Sequence, residues 1–249
     1  MTEDTTPADL ARLWRLPAGS RLGRPAALDV DRVVRTAIES ADRAGLSGAT
    51  LPKIAETLGV TPMSLYRHIG SKDELLVLMA DAATGPPPPA EVTNWRAALR
   101  DWAVALRATY LAHPWLPHLP IAGPPRGPNA IAWMDAGLRA LRETGLDPGV
   151  KVGVITVVSG YVRHTDILLQ QLEQGRGGTG RDESQTNLDY ARQMARLIDP
   201  DRFPDAAALF ASDAFAPPAT EPADDFGFGL DLVLDGVAAT VDGIADGTR

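Results

Sequence analysis

Between Thr61 and Lys72 the chain concentrates side chains that donate hydrogen bonds or carry positive charge, and it places no carboxylate among them. Thr61, Ser64, Tyr66, Arg67, His68 and Lys72 supply hydroxyls, an imidazole and two cations, and Met63 and Pro62 add apolar surface. Base edges are read by donors and apolar contacts, and phosphates are held by cations, hydroxyls and helix N-termini. At 100° per residue a helix over Pro62–Ile69 turns Leu65 and Ile69 to one side. Met63, Ser64 and Arg67 then point outward, flanked by Tyr66 and His68. A short helix with that outer face is what a major-groove reader needs. An ordinary polar face on a helical cluster has the same spacing, so spacing alone leaves both readings open.

Four short helices over 29–83 must position this set. Asp29 caps the first, whose apolar positions Val30, Val34, Ala37, Ile38 and Ala41 form one stripe and which Gly45 ends. Thr50 caps the second, with Leu51, Ile54, Ala55 and Leu58 inward and Gly59 as its stop. Thr61 caps the third, and Pro62 takes the first helical position, where a missing N–H costs nothing. Ser71-x-x-Glu74 opens the fourth as a capping box, with Leu75, Leu76, Met79 and Ala83 to bury. The second and third helices around the Gly59-Val60-Thr61 turn make a helix-turn-helix.

The run Ile54–Ile69 (IAETLGVTPMSLYRHI), followed by Ser71-Lys72-Asp73-Glu74-Leu75-Leu76, resembles the DNA-binding domain of TetR-type bacterial repressors. Leu65-Tyr66-x-His68 followed by Lys72-x-Glu74-Leu75-Leu76 is a specific pattern, and the MSLYRH segment is similar to that of the tetracycline-repressor branch. The resemblance implies an all-α fold. A three-helix reading head would be joined by the fourth helix to a larger helical domain that binds a small-molecule effector and dimerises. DNA contacts are then expected from Thr61, Pro62, Met63, Ser64, Tyr66, Arg67 and His68, with phosphates held by Thr50, Lys53, Tyr66 and Lys72.

The formal net charge of −8 looks adverse for a DNA binder until it is divided along the chain. Residues 29–83 hold six Lys or Arg against eight Asp or Glu, and the acidity lies mainly further on. Residues 10–28 contain Arg12, Arg15, Arg21 and Arg24 and no acid. They read as a basic, partly disordered arm (1–28) that reaches phosphates or a minor groove, with docking of Trp14 on the protein as the alternative. There is no Cys, so no disulfide or thiolate chemistry, consistent with a cytoplasmic setting. No signal peptide opens the chain, and no run of about 18 apolar residues suggests a membrane span.

Thr84-Gly85 and Pro86–Pro89 close the reading head at about residue 84. Residues 85–249 read as helices over 92–113, 127–145, 149–173, 186–198 and 226–245, with shorter pieces near 114–121 and 204–215. The Val-rich run 150–158 has β-propensity, yet no second strand is available to pair with it. Gly153 and Gly160 give this helix small faces that another helix can approach. Gly175-x-Gly177-x-x-Gly180 formally matches a dinucleotide fingerprint, but no strand precedes it, and residues 174–184 read as a mobile loop.

Candidate effector-binding residues are Trp102 and Trp133 as walls, with Tyr110, His118, His164 and Asp166 as polar groups. Each has a plain structural alternative in the core. His113 and His118 flank two prolines and make a poor ligand pair, so neither a metal nor another cofactor is expected. No nucleophile, base or metal motif supports an enzyme. Phe226-x-Phe228-Gly229-Leu230-Asp231 with Gly236, together with Trp115-Leu116 and Gly127-Pro128-Asn129, resembles the ligand domain of the same branch. That resemblance implies a homodimer in which the long helix and the last helix pair with their mates. The reading is therefore a ligand-responsive repressor on a palindromic double-stranded DNA operator, with a small-molecule effector of unknown identity. A ligand-blind helix-turn-helix protein, or an activator, is the alternative.

Overall fold

The computed structural model describes residues 6–17, 28–89, 92, 94–121, 123–177, 183–216 and 225–247. Among these it is all helical, with no strand. The elements are α1 (Ala8–Leu13), α2 (Val30–Ala44), α3 (Leu51–Leu58), α4 (Pro62–Ile69), α5 (Lys72–Thr84), α6 (Trp95–Ala112), α7 (Pro128–Ala140), α8 (Pro148–Gly177), α9 (Glu183–Leu197), α10 (Pro204–Phe210) and α11 (Asp225–Gly247). Short 3-10 turns cover Leu116–His118, Arg142–Thr144 and Asp213–Phe215. Contacts divide the chain into two compact units, Met1–Asp166 with Leu230–Arg249, and Ile167–Gly229.

In the first unit the helix ends follow the local chemistry. Asp29 accepts the Arg32 N–H at 2.7 Å, and Thr61 Oγ1 accepts that of Ser64 at 3.3 Å. Gly59 leaves α3 in the left-handed conformation. Thr50 holds the N-cap position of α3, but its hydroxyl makes no capping bond. The Ser71 capping box is half formed: Ser71 Oγ accepts the Glu74 N–H, while the Glu74 carboxylate turns to the Arg12 guanidinium. Arg12 Nη2 donates to Glu74 Oε2 at 2.9 Å. On α5 the fully buried apolar residues are Leu75, Leu78 and Met79, and Leu76 and Ala83 are only half-buried.

Glu74 therefore ties down the N-terminal segment. Leu13 is 4% exposed and joins the core formed by α2, α3, α4 and α5. Arg15 pairs with Asp31, and Trp14 Nε1 donates to the Arg126 carbonyl. The described part of the arm thus spends Arg12 and Arg15 on the protein itself; Arg21 and Arg24 lie outside the described residues. The same core continues into the segment after α6 through Trp115, Leu116 and Leu119. Asp42 on α2 accepts from Trp115 Nε1 at 2.7 Å and lies 2.8 Å from His113 Nδ1.

The Val-rich run is helical within α8, as its neighbours required. Two expectations need correction. Helix α8 continues through Gly175 to Gly177, so the supposed loop starts later, and α9 already includes Glu183 and Ser184. Gly180 lies outside the described residues. Over Pro148–Gly175, α8 is also long and apolar enough by length and composition to cross a membrane, although no uninterrupted apolar run marks it in the sequence. Lys151, Arg163, His164 and Asp166 interrupt the run, together with glycine, serine and threonine. Arg163 and Asp166 on this helix are both engaged by other parts of the protein.

The second unit closes on an aromatic cluster. Phe210 and Phe215 stack with centroids 5.0 Å apart, and Tyr190 meets both edge-on.

Candidate DNA-reading face and effector cavity

Helix α4 is anchored by Leu65 and Ile69, both fully buried, and everything between them faces away from that core. Met63 is 74% exposed, and Thr61, Pro62, Tyr66 and Arg67 are exposed with it, whereas Ser64 and His68 are half-buried. Among the described residues the side chains of Tyr66, Arg67, His68 and Lys72 have no hydrogen-bond or ion-pair partner. Ser64 Oγ lies 2.9 Å from Thr61 Oγ1, and Lys53 Nζ donates to the Ser47 carbonyl at 3.2 Å. Thr50 and Lys53 stand at the start of α3 and Lys72 at the start of α5, the ends at which helix dipoles favour an anion.

Helices α5, α6, α7 and α8 line a cavity of about 780 Å³, within the range of small-molecule sites. Helix α5 contributes Leu76, Val77, Ala80, Asp81 and Thr84, α6 contributes Trp102, Leu106 and Tyr110, and α7 contributes Ala130, Trp133 and Met134. Helix α8 adds Val152, Ile155, Thr156, Ser159 and Arg163. Trp102 and Trp133 meet edge-on at 5.8 Å, and each indole N–H is satisfied: Trp102 Nε1 by the Trp133 carbonyl, Trp133 Nε1 by the Gly85 carbonyl. Arg163 Nε donates to the Pro117 carbonyl at 2.8 Å, which orients the guanidinium on the wall. Burial raises the Tyr110 phenol above its ordinary pKa, partly offset by the Arg163 charge.

Of the six residues singled out for the ligand, Trp102, Tyr110 and Trp133 line the cavity. His118, His164 and Asp166 are not in its lining. His118 sits exposed in the 3-10 turn and His164 is exposed on α8. Asp166 is buried, paired with Arg107 Nε at 3.4 Å. Sequence reasoning passed over Arg163, Thr156, Ser159 and Asp81. Arg163 stands one helical turn from Ser159 and two from Thr156, a polar stripe on an apolar helix that could have marked them.

A helix-turn-helix head with a free cationic face, set on a helical body that holds a ligand-sized cavity, defines a DNA-binding regulator. The chain belongs to the TetR family. Residues 33–79 match the family described as "Bacterial regulatory proteins, tetR family", and residues 87–241 match "Tetracyclin repressor-like, C-terminal domain". It is 34% identical to the HTH-type transcriptional repressor DrrR1 of Streptomyces coeruleorubidus, over 96% of this chain and 90% of that one. It is 28% identical to the class A tetracycline repressor from transposon 1721 in Escherichia coli, over 85% and 91%. Among solved structures, the TetR-family protein ActR of Streptomyces coelicolor in complex with actinorhodin matches with a TM-score of 0.69 and 27% identity, covering 86% of this chain and 98% of ActR.

Proposed function

We propose that this protein represses transcription by binding a palindromic operator as a homodimer, and that a small molecule filling the cavity releases it. The observation that carries this reading is that α5, the helix following the reading helix, is itself a wall of the cavity. An occupant that displaces α5 alters the spacing of two reading heads and so penalises the bound geometry. Such coupling is reciprocal: operator must weaken effector by the factor that effector weakens operator. The apolar walls and the Trp pair suit a large aromatic or polycyclic molecule. Arg163 suits a keto, phenolate or carboxylate oxygen on it. Thr61, Pro62, Met63, Ser64, Tyr66, Arg67 and His68 face the groove in this reading, and Thr50, Lys53 and Lys72 face phosphates. The protein then works in the cytoplasm, beside its DNA.

The test is fluorescence-anisotropy titration of the dimer against the DNA flanking its own gene and against random duplex, over a salt series. Selective binding with a steep salt dependence is expected. Arg67→Ala and Tyr66→Ala should each cost roughly 1–3 kcal/mol of specific binding. Unchanged affinity in both variants would falsify the placement of α4 in the groove.

A further inference from the structure

Helix α7 begins without a cap of its own, because Gly127 at its N-cap position has no side chain to offer. The cap comes from 48 residues away, on α5. Asp81 Oδ1 accepts the backbone N–H groups of Asn129 and Ala130 at 3.1 and 3.0 Å. The Asn129 amide reaches back, donating to Asp81 Oδ2 at 3.2 Å and to the Asp81 carbonyl at 2.9 Å. One turn further along each helix, Trp133 Nε1 donates to the Gly85 carbonyl at 2.9 Å. A Cβ at Gly127 would overlap the Asp81 carboxylate, so glycine there is a condition of the contact. Asp81, Gly127, Ala130 and Trp133 all line the cavity.

We infer that Asp81 is a positioning residue through which cavity occupancy reaches the reading head, because its carboxylate caps α7 from the helix that carries the head. This deepens the proposed function and rests on it. The carboxylate meets the unpaired N–H groups and the positive dipole end of α7, an interaction that falls off within the first turn. Helix α5 is therefore held in one place along α7, and an occupant that pushes α5 outward must break five hydrogen bonds, four at Asp81 and one at Gly85, before it moves the head. With the bonds made, the two heads of a dimer have a fixed spacing. With them broken, the heads are free to vary it.

The test uses the full-length dimer and an operator obtained by selection from random duplexes, with base pairs then inserted or removed between its half-sites. Wild type is expected to discriminate sharply among spacings. Asp81→Ala and Gly127→Ala, which break the same contact from opposite sides, are each expected to reduce that discrimination by about tenfold, the order a helix cap is worth. Equal discrimination in wild type and both folded variants overturns the inference. A second measurement needs no variant: hydrogen exchange of the 127–133 segment with and without operator. The amides of Asn129 and Ala130 should gain protection when operator binds, although that segment carries none of the DNA-facing residues. Unchanged protection there, with α4 protected, overturns the joint and leaves the regulator standing. No protection of α4 and no selected operator would remove the regulator reading, and the joint with it.

Discussion

Asp166 is 2% exposed, with Arg107 on one oxygen and no partner among the described residues on the other. Burial raises its pKa above the ordinary carboxylate value, and the hydrogen bond and charge of Arg107 only partly oppose this. The native state therefore binds this proton more readily than the unfolded chain does. Its contribution to stability is complete below the unfolded pKa and is lost as pH rises through the raised native one. Asp166→Asn should remove that part of the pH dependence while leaving the slope from other carboxylates. Thermal unfolding of both proteins from the ordinary carboxylate range up to neutrality reads it directly, and an identical slope in the variant would show that burial is not penalising the charge. At this scale the sequence was a partial guide. It singled out Asp166 as a polar candidate for the effector, but a polar residue in an apolar helix looks the same whether it lines a cavity or sits in the core. Asp81 gave no local signal, since its partners are 48 residues away and the helix it caps starts with glycine and proline.

At the scale of elements the reading was far better, because helix starts and stops are written in neighbouring residues. Asp29, Thr61 and Ser71 all cap where their spacing required, and Gly59 stops α3 as a left-handed glycine. Two exceptions have different causes, one long-range and one local. Glu74 should have closed a reciprocal capping box, yet Arg12 from α1 claims its carboxylate and the Ser71 N–H goes to the Ile69 carbonyl. Helix α8 runs through the glycines at 175 and 177, because two glycines lower helix propensity by only about 1 kcal/mol each against some thirty residues of cooperative helix. Helix α1 is the element with a direct consequence. Arg12→Ala should destabilise the reading head by about 1 kcal/mol, a figure discounted because the pair is only partly buried. Urea unfolding should show a lower midpoint with an unchanged slope. Part of the loss should be recovered by the Glu74 carboxylate turning back onto the Ser71 N–H, so the double variant Arg12→Ala, Glu74→Ala should be less stable than Arg12→Ala alone.

At the scale of the whole molecule, apolar surface is left that the described residues do not cover. On α8, Val157 is 58% exposed, and on α11 Leu232 is exposed to the same extent, while Leu230 and Leu234 on the opposite side of α11 are fully buried. Added Cβ atoms at Gly153 and Gly160 on α8, and at Gly236 on α11, would meet nothing within 4 Å. Arg96 pairs with Asp231 and Asp235, and Arg100 also pairs with Asp231, which fixes α11 to the start of α6 and orients its outer face. The sequence showed a helix over 226–245 that the resemblance pairs with its mate, but not which side the chain's own core would take, since burial depends on what packs from outside. These two helix faces suit a partner copy, as the family's dimers require. Val157→Arg and Leu232→Arg are therefore expected to be nearly neutral in an isolated chain, within about 0.5 kcal/mol, but to bury an unpaired charge in a dimer. Sedimentation should show the mass of the double variant halved. Operator affinity should fall to that of one head on one half-site, because the second head no longer binds as part of the same molecule. A variant that stays dimeric and binds its operator normally would place the dimer interface elsewhere. The mechanism, in which cavity occupancy changes the distance between two heads, would then have to be rebuilt around a different axis.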